Sequence, residues 1–234
     1  MKKFLTAKWQ DLIMVNYEVA PELLADRVPP GTELDLFDGK CFVSLVGFMF
    51  LDTRILDFLI PFHINFEEVN LRFYVRRETD DETRRGVVFV KEIVPRATIA
   101  TIARRLYGEP YERWKMSNFR DALHVRYSWE KGECVNSISL ESGANLGVPA
   151  SATHEEFIIE HYWGYTKRSA KRTDEYKVEH PKWEIFDAGN PHIDVDFGCT
   201  YGEEFSFLRD EKPFSVLLVK GSEIAVFKGA RLDI

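Results

Sequence analysis

Apolar and polar residues alternate along much of this chain, and the alternating runs come in pairs joined by turn residues. Glu33 to Phe37 is followed by Asp38-Gly39 and then by Lys40 to Phe50. A DG pair between apolar runs predicts a tight hairpin turn. Val69 to Val75 alternates, passes through the charged stretch ETDDETRR and returns as Gly86 to Val94. Ala122 to Trp129 places Leu123, Val125, Tyr127 and Trp129 on one face, turns at Lys131-Gly132 and returns from Cys134 to Leu140. Phe214 to Val219, a Lys220-Gly221-Ser222 turn and Glu223 to Lys228 predict a last hairpin. Roughly eight to eleven strands at hairpin spacing follow from this pattern.

Helical periodicity is rarer. Pro21 to Val28 reads as a short helix stopped by Pro29-Pro30. Thr98 to Tyr107 carries Ile99, Ile102, Ala103 and Leu106 at i, i+3, i+4 and i+7, with Pro95 near its start and Gly108 after its end. Thr153-His154-Glu155-Glu156 is a capping box that opens a helix through Phe157 and Ile158 to about His161. Three short helices and many strands predict an α+β fold, mainly antiparallel β, with the helices packed on the strands. No repeat, low-complexity tract or linker divides the chain, so residues 1–234 read as a single domain.

Composition narrows the function classes. The chain has 234 residues and a net charge of −7. That is the wrong sign for a non-specific nucleic-acid binder. The longest apolar run, Phe42 to Leu51, contains Ser44 and Gly47 and is about half a membrane span, and the lysine-bearing start lacks the apolar core of a signal peptide. Neither nucleic acid nor membrane is expected as a partner. Cys41, Cys134 and Cys199 are odd in number, far apart and in no CxxC. They read as separate small apolar groups in a reducing compartment, hence a cytoplasmic protein.

The familiar catalytic motifs are missing: no GxSxG, GxGxxG or GxxxxGK[ST]. His192, Asp194 and Asp196 would share a strand face, but GNPHID reads as a turn entering a solvated strand, and no metal or cofactor is expected. His154 and His161 lie about 10 Å apart along a helix axis, too far for one metal. His154 is expected at the surface and His161 in packing. The basic stretch Lys167 to Arg172 is followed by Asp174, Glu175 and Glu179 and reads as a solvated strand edge.

The most informative cluster lies in FEEVNLRFYV and ARRLYGEPYERWKM. Glu68, Asn70 and Arg72 share one strand face, opposite Val69, Leu71 and Phe73. If the apolar set packs on an outer layer, the polar set faces the inside, where each group needs a partner. An arginine from the second segment meeting Glu68 would make a buried ion pair. Two readings stay open: a salt-bridge network that holds the fold, or a pocket that binds a carboxylate or works by acid and base.

The same two segments carry a resemblance. The chain resembles the YqjF-like family, domain of unknown function 2071. The matching residues are Trp9-Gln10-Asp11-Leu12, Pro29-Pro30-Gly31, Leu34-Asp35, Phe37-Asp38-Gly39, Glu68 to Arg72 with Tyr74-Val75, Arg104 with Tyr107-Gly108 and Pro110-Tyr111, Phe157 to Tyr165, and His180-Pro181 with Trp183. That family is similar in fold to acetoacetate decarboxylase. The resemblance implies a cone-shaped β-barrel with a central cavity and a few short flanking helices. It also implies that Glu68 falls near a pocket carboxylate and Arg104 near a pocket arginine of the decarboxylases. Their motif of the type R-x-x-[YW]-G-[FY]-P-K-K is matched at Arg104, Tyr107, Gly108 and Pro110, but the two lysine positions are Tyr111 and Glu112. A phenol cannot form an imine, and a glutamate cannot depress a neighbouring amine. Acetoacetate decarboxylase activity is therefore not expected. The nearest lysine, Lys115, reaches the cavity only on a different backbone path.

These residues suggest a barrel that binds a small organic acid or carbonyl compound through Arg72, Arg104, Asn70 and Tyr107. The alternative is an enzyme in which Glu68 and Tyr111 supply acid–base chemistry to a small keto or lactone-type substrate. A third possibility is a filled, purely structural barrel. Pairing of sheet edges between copies of the chain is open under all three.

Overall fold

The computed structural model describes residues 2–56, 58–59, 64–98, 100–101 and 108–233. Fifteen strands join one sheet: β1 (Lys3–Val19), β2 (Glu33–Leu34), β3 (Cys41–Ile55), β4 (Phe58–Leu59), β5 (Phe66–Glu78), β6 (Thr83–Val94), β7 (Tyr111–Arg113), β8 (Lys115–Arg120), β9 (His124–Lys131), β10 (Cys134–Gly147), β11 (Trp163–Ser169), β12 (Arg172–Glu179), β13 (Ile185–Asp194), β14 (Ser215–Phe227) and β15 (Ala230–Asp233). Strands β1, β3, β5, β6, β11, β12 and β14 are hydrogen-bonded in that order, and β12 pairs back onto β14 at Val178↔Val226. The circuit closes into a barrel. All its neighbours are antiparallel except β6 and β11. From β14 the sheet continues through β13, β10, β9 and β8 as an outer layer.

Two apolar cores follow from this layout. Ile13, Val15, Val43, Leu45, Val69, Leu71 and Phe73 face outward and pack against Val125, Tyr127, Trp129 and Ile138 of the outer layer. Leu12, Met14, Val46, Phe48, Phe50, Phe66 and Val226 face into the barrel. Both sides of β3 and β5 are thus covered, so apolar residues fill both faces except where a polar wall is needed. Gly47 sits where the layers come closest. A Cβ there would lie 2.9 Å from Ile138 Cδ1 and 3.0 Å from Tyr127 Cδ2. Gly47→Val is therefore expected to push the outer layer off the barrel, at a cost of about 1–3 kcal/mol in denaturant unfolding.

Helices are short. Residues 97, 98, 100 and 101 are helical, and the rest of the helix expected over Thr98 to Tyr107 lies outside the described residues. Helix α1 (His154–Ile159) is capped as expected, with Glu156 N donating to Thr153 Oγ1 at 3.3 Å. The Glu156 carboxylate accepts from Ala152 N at 2.7 Å, one residue earlier than the standard box. Phe157, Ile158 and Ile159 pack into the barrel core. Helix α2 (Phe197–Tyr201) is capped by Asp196, which accepts from Cys199 N at 2.8 Å. Pro21 to Val28 forms two single 3-10 turns rather than one helix, Pro21–Leu23 and Ala25–Arg27.

Four further expectations are corrected. Asp38 and Gly39 do make a tight turn, both with positive φ (49° and 76°), but it closes only the Phe37↔Lys40 bridge. The preceding β2 pairs with β5, because β3 is already flanked by β1 and β5. Lys220-Gly221-Ser222 is not a hairpin turn. β14 continues through it, paired along its length with the longer β1, and Gly221 at φ 75° absorbs a bend. Its bare Cα is required there, because a Cβ would meet Trp9 O at 2.2 Å. Cys134 and Cys199 are joined by a disulfide with Cα atoms 6.3 Å apart, while Cys41 stays free and buried. Sixty-five residues separate the pair in sequence, and only the docking of α2 on β10 brings them together. Cysteine usage therefore gives no argument about compartment. His154 is buried rather than superficial, ringed by Phe37, Phe42 and Phe214. Among the described residues, no helix is long and apolar enough to cross a membrane.

Candidate functional site

The barrel interior holds a cavity of about 130 Å³. An engineered cavity of about 150 Å³ takes benzene, so this one is of a size to receive a small organic group. One end is apolar, lined by Trp9, Phe48, Phe50 and Phe66, with Phe50 and Phe66 stacked at 4.7 Å and Trp9 edge-on to Phe48 at 5.3 Å. The other end is polar and is built by strand register. Asn70 on β5 pairs with Glu92 on β6, and Glu92 pairs with Tyr111 on β7, so three polar side chains stand in a row across three strands. Glu68 and Arg72 flank Asn70 on the same face of β5.

Glu68 is 2% exposed. Asn70 Nδ2 donates to its Oε1 at 2.9 Å, and Tyr111 Oη donates to its Oε2 at 3.1 Å. Glu109 sits just before β7 and accepts from Tyr176 Oη of β12 at 2.5 Å. Tyr176 fits there because its cross-strand partner is Gly164, where a Cβ would come within 2.2 Å of the phenol ring. Glu92 and Glu109 hydrogen-bond each other through their carboxyls, which requires a proton between them. Burial pushes Glu68 up to about 7, helped by the Glu109 charge and opposed by Asn70, Tyr111 and Arg72. Burial likewise pushes Glu109 up to about 7, against the bond from Tyr176. Glu92 is held well above the usual carboxylate range by burial and by the charges of Glu109 and Glu68. Burial and these same three carboxylates raise the Tyr111 phenol.

Arg72 is the guanidinium of this wall among the described residues. Its Nη2 donates to Ile158 O at 3.3 Å, and its side chain lies over the Tyr74 ring. His161 also reaches the cavity, and its Nε2 faces Asp35 Oδ2 at 3.3 Å, the same oxygen that Arg85 Nε holds at 2.6 Å. Burial drives His161 down to about 4, so the imidazole is neutral at pH 7. Six buried polar atoms of cavity-lining residues have no partner among the described residues: Trp9 Nε1, Thr53 Oγ1, Asn70 Oδ1, Arg72 Nε, Glu92 Oε2 and His161 Nδ1. Buried polar atoms are almost always paired in native proteins, so six around one cavity mark a place where ligand groups or water belong.

The residues singled out from sequence fare differently. Glu68, Asn70, Arg72 and Tyr111 converge on the cavity. Arg104 and Tyr107 lie outside the described residues. Among the described residues the hydrogen-bond partners of Glu68 are Asn70 and Tyr111, and the arginine of the second segment expected to meet it lies outside them. Glu112 points away from the cavity. Although partly buried, its carboxyl is brought down to about 2 by hydrogen bonds from Trp114, Lys131 and Lys91. Lys115 is 81% exposed and pairs with Glu130. Every lysine of the chain is among the described residues, and none lines the cavity. Asp196 serves as a helix cap, His192 and Asp194 are exposed on β13, and no group of three or more His, Cys, Asp or Glu able to hold a metal occurs among the described residues.

Glu92, Glu109, His161 and Tyr176 were not anticipated in the site. For Glu109 the signal was present, next to Tyr111 in the GEPY turn. For Glu92 it was misleading. With Val87 and Phe89 facing inward, simple alternation puts Glu92 outside. A bulge changes the parity: Leu71 pairs with Lys91 and Arg72 with Phe89, so Val90 is left over and Glu92 turns inward.

Comparison with known proteins agrees with this architecture. The YqjF protein of Bacillus subtilis is 34% identical over 68 residues, a stretch that spans 29% of this chain and 28% of that protein. The crystal structure of acetoacetate decarboxylase from Legionella pneumophila superposes with a TM-score of 0.72 at 12% identity, covering 99% of this chain and 88% of that one. The enduracididine biosynthesis enzyme MppR, complexed with pyruvate, gives 0.69 at 14% identity over 99% and 91%. An acetoacetate decarboxylase-like enzyme from Sphingomonas wittichii gives 0.67 at 14% identity over 100% and 94%. At such identities the likeness is one of fold, and it is the fold expected from the sequence motifs. The model of the family DUF2071, "Uncharacterized conserved protein", matches residues 6–223, and the chain belongs to that family.

Proposed function

We propose that the barrel binds a small organic acid or carbonyl compound with an apolar tail, and does so without an imine. The observation that carries this is the pairing of an aromatic-lined cavity with a buried, unpartnered Arg72 Nε at its polar end. Guanidinium N–H groups match a carboxylate or a carbonyl oxygen in geometry and charge. Protonated Glu68 or Glu109 and the Tyr111 hydroxyl would donate to a second oxygen. That MppR is seen with pyruvate supports an oxo acid as the first ligand to try.

With no lysine on the wall, a bound oxo acid has no amine to condense with. Titration with phenylpyruvate, followed by protein NMR, is expected to shift resonances of β5 and β7. Treatment of the complex with sodium borohydride should leave the intact mass unchanged. A mass increase matching a reduced adduct would overturn the imine-free reading.

A second reading is acid–base catalysis on the bound carbonyl compound. It is favoured by the direct Tyr111–Glu68 hydrogen bond and by a Glu68 that titrates near 7, where a carboxyl can both accept and return a proton. Glu68 would take a proton from the carbon beside the carbonyl while Tyr111 donates to the forming enolate oxygen. In D₂O this predicts exchange of the α-protons of a bound oxo acid, lost in Glu68→Gln. Exchange equal in the variant and the parent would remove this reading and leave binding alone.

A further inference from the structure

Resting on the cavity as a ligand site, we propose that its ligand carries an amine beside the acid or carbonyl group, as an α-amino acid with an apolar side chain does, the ammonium being received by Asn70 Oδ1 and Glu92 Oε2. The two oxygens belong to side chains 2% and 1% exposed, and neither has a partner among the described residues. Both are acceptors. Asn70 commits its Nδ2 to Glu68 Oε1, which turns Oδ1 the other way. Sharing a proton with Glu109 leaves the Glu92 carboxyl with lone pairs free to accept. A carbonyl or carboxylate ligand, made of acceptors, satisfies neither.

Register makes the two act together. Asn70 and Glu92 are direct partners across β5 and β6, so their side chains start about 5 Å apart. An ammonium, with three N–H groups splayed from one nitrogen, can bond both. Arg72 lies two residues along the same strand face, about 7 Å away. An α-amino acid carries its two charged groups at a separation that, with a hydrogen bond at each end, spans such a distance. Its side chain would then lie toward Trp9, Phe48, Phe50 and Phe66.

The charge balance points the same way. Glu68, Glu92 and Glu109 face this end, with Tyr111 from β7 and Tyr176 from β12. Against them stand Arg72, Arg168 beside Glu109 and the neutral His161. An entering ammonium replaces a proton that the carboxyls otherwise hold, so its binding releases protons near pH 7. An acid without an amine has no such effect.

Calorimetry on the full chain at pH 7, in two buffers of different ionisation enthalpy, tests this with L-phenylalanine, 3-phenylpropionate and 2-phenylethylamine. L-Phenylalanine should bind at least tenfold more tightly than 3-phenylpropionate and release protons. Asn70→Leu and Glu92→Gln, each checked for folding by its unfolding curve, should each bring the ratio of L-phenylalanine to 3-phenylpropionate affinity down to near one. If 3-phenylpropionate binds as tightly as L-phenylalanine, the amine contact is wrong while the acid site stands. If 2-phenylethylamine binds as tightly as L-phenylalanine, the amine contact stands and the Arg72 acid site falls. If none of the three binds, the cavity is not a site for such ligands, and this inference falls with the reading beneath it.

Discussion

Raising the pH from 5 to 8 is expected to destabilise this protein, and replacing Glu68 and Glu109 together with Gln is expected to reverse that trend below pH 6.5. Three buried carboxyls hold their protons more tightly folded than unfolded. Glu68 and Glu109 titrate near 7 and Glu92 higher, against an ordinary 4.5. Between 4.5 and 7 the folded state therefore binds more protons than the unfolded chain, and stability falls as pH rises. At 1.36 kcal/mol per unit, each of the two carboxyls that titrate near 7 contributes on the order of 3 kcal/mol that is present below pH 4.5 and lost above 7. Three histidines oppose them. Burial lowers His161 and His180 to about 4 and also holds His154 below its usual range, so the unfolded chain takes up their protons first, and stability falls as pH drops from 6.5 toward 4. Above 6.5 the carboxyls act alone, so the net change from pH 5 to 8 is downward. Without Glu68 and Glu109 the histidines dominate, and stability should rise from pH 5 to 6.5. Thermal midpoints at half-unit steps give both slopes. A double variant that keeps the parent's slope would show that the pair is not the source.

Neighbouring residues on β5 should separate stability from binding. Phe73 is fully buried in the outer core, and Phe73→Ala is expected to cost about 3–5 kcal/mol while leaving ligand affinity within twofold. Arg72 points the opposite way. Its guanidinium makes one long hydrogen bond to Ile158 O, so Arg72→Gln should cost about 1 kcal/mol or less in stability. The same change should weaken an oxo acid at least tenfold. Urea unfolding and NMR titration of the two variants read both effects. The prediction fails if Arg72→Gln binds phenylpyruvate like the parent.

That contrast rests on a period of two that is legible in the sequence. Val69, Leu71 and Phe73 against Glu68, Asn70 and Arg72 is a pattern any reader of the chain can see, and the structure puts one set in the outer core and the other on the cavity wall. The β5–β6 and β9–β10 hairpins, the α1 cap and the place of Tyr111 near Glu68 were also legible. Each depends on residues close in sequence, or on family motifs that already encode the fold.

Other features depended on where the strands bend. Asp11 and Asp52, at φ 57° and 53°, and Gly221 interrupt β1, β3 and β14, and the bulge at Val90 interrupts β6. After each break the inward face changes from odd to even positions or back, as when Trp9 gives way to Leu12 on β1 and Phe50 to Thr53 on β3. Local sequence does not mark these breaks, because they answer to the curvature of a closed barrel. Alternation alone determined which residues share a face; barrel closure decided which face was inside. Closure turned Glu92 toward Glu109, joined Cys134 to Cys199 and kept β14 a single strand through Lys220-Gly221-Ser222, because partners far along the chain stabilise these choices more than local propensity opposes them.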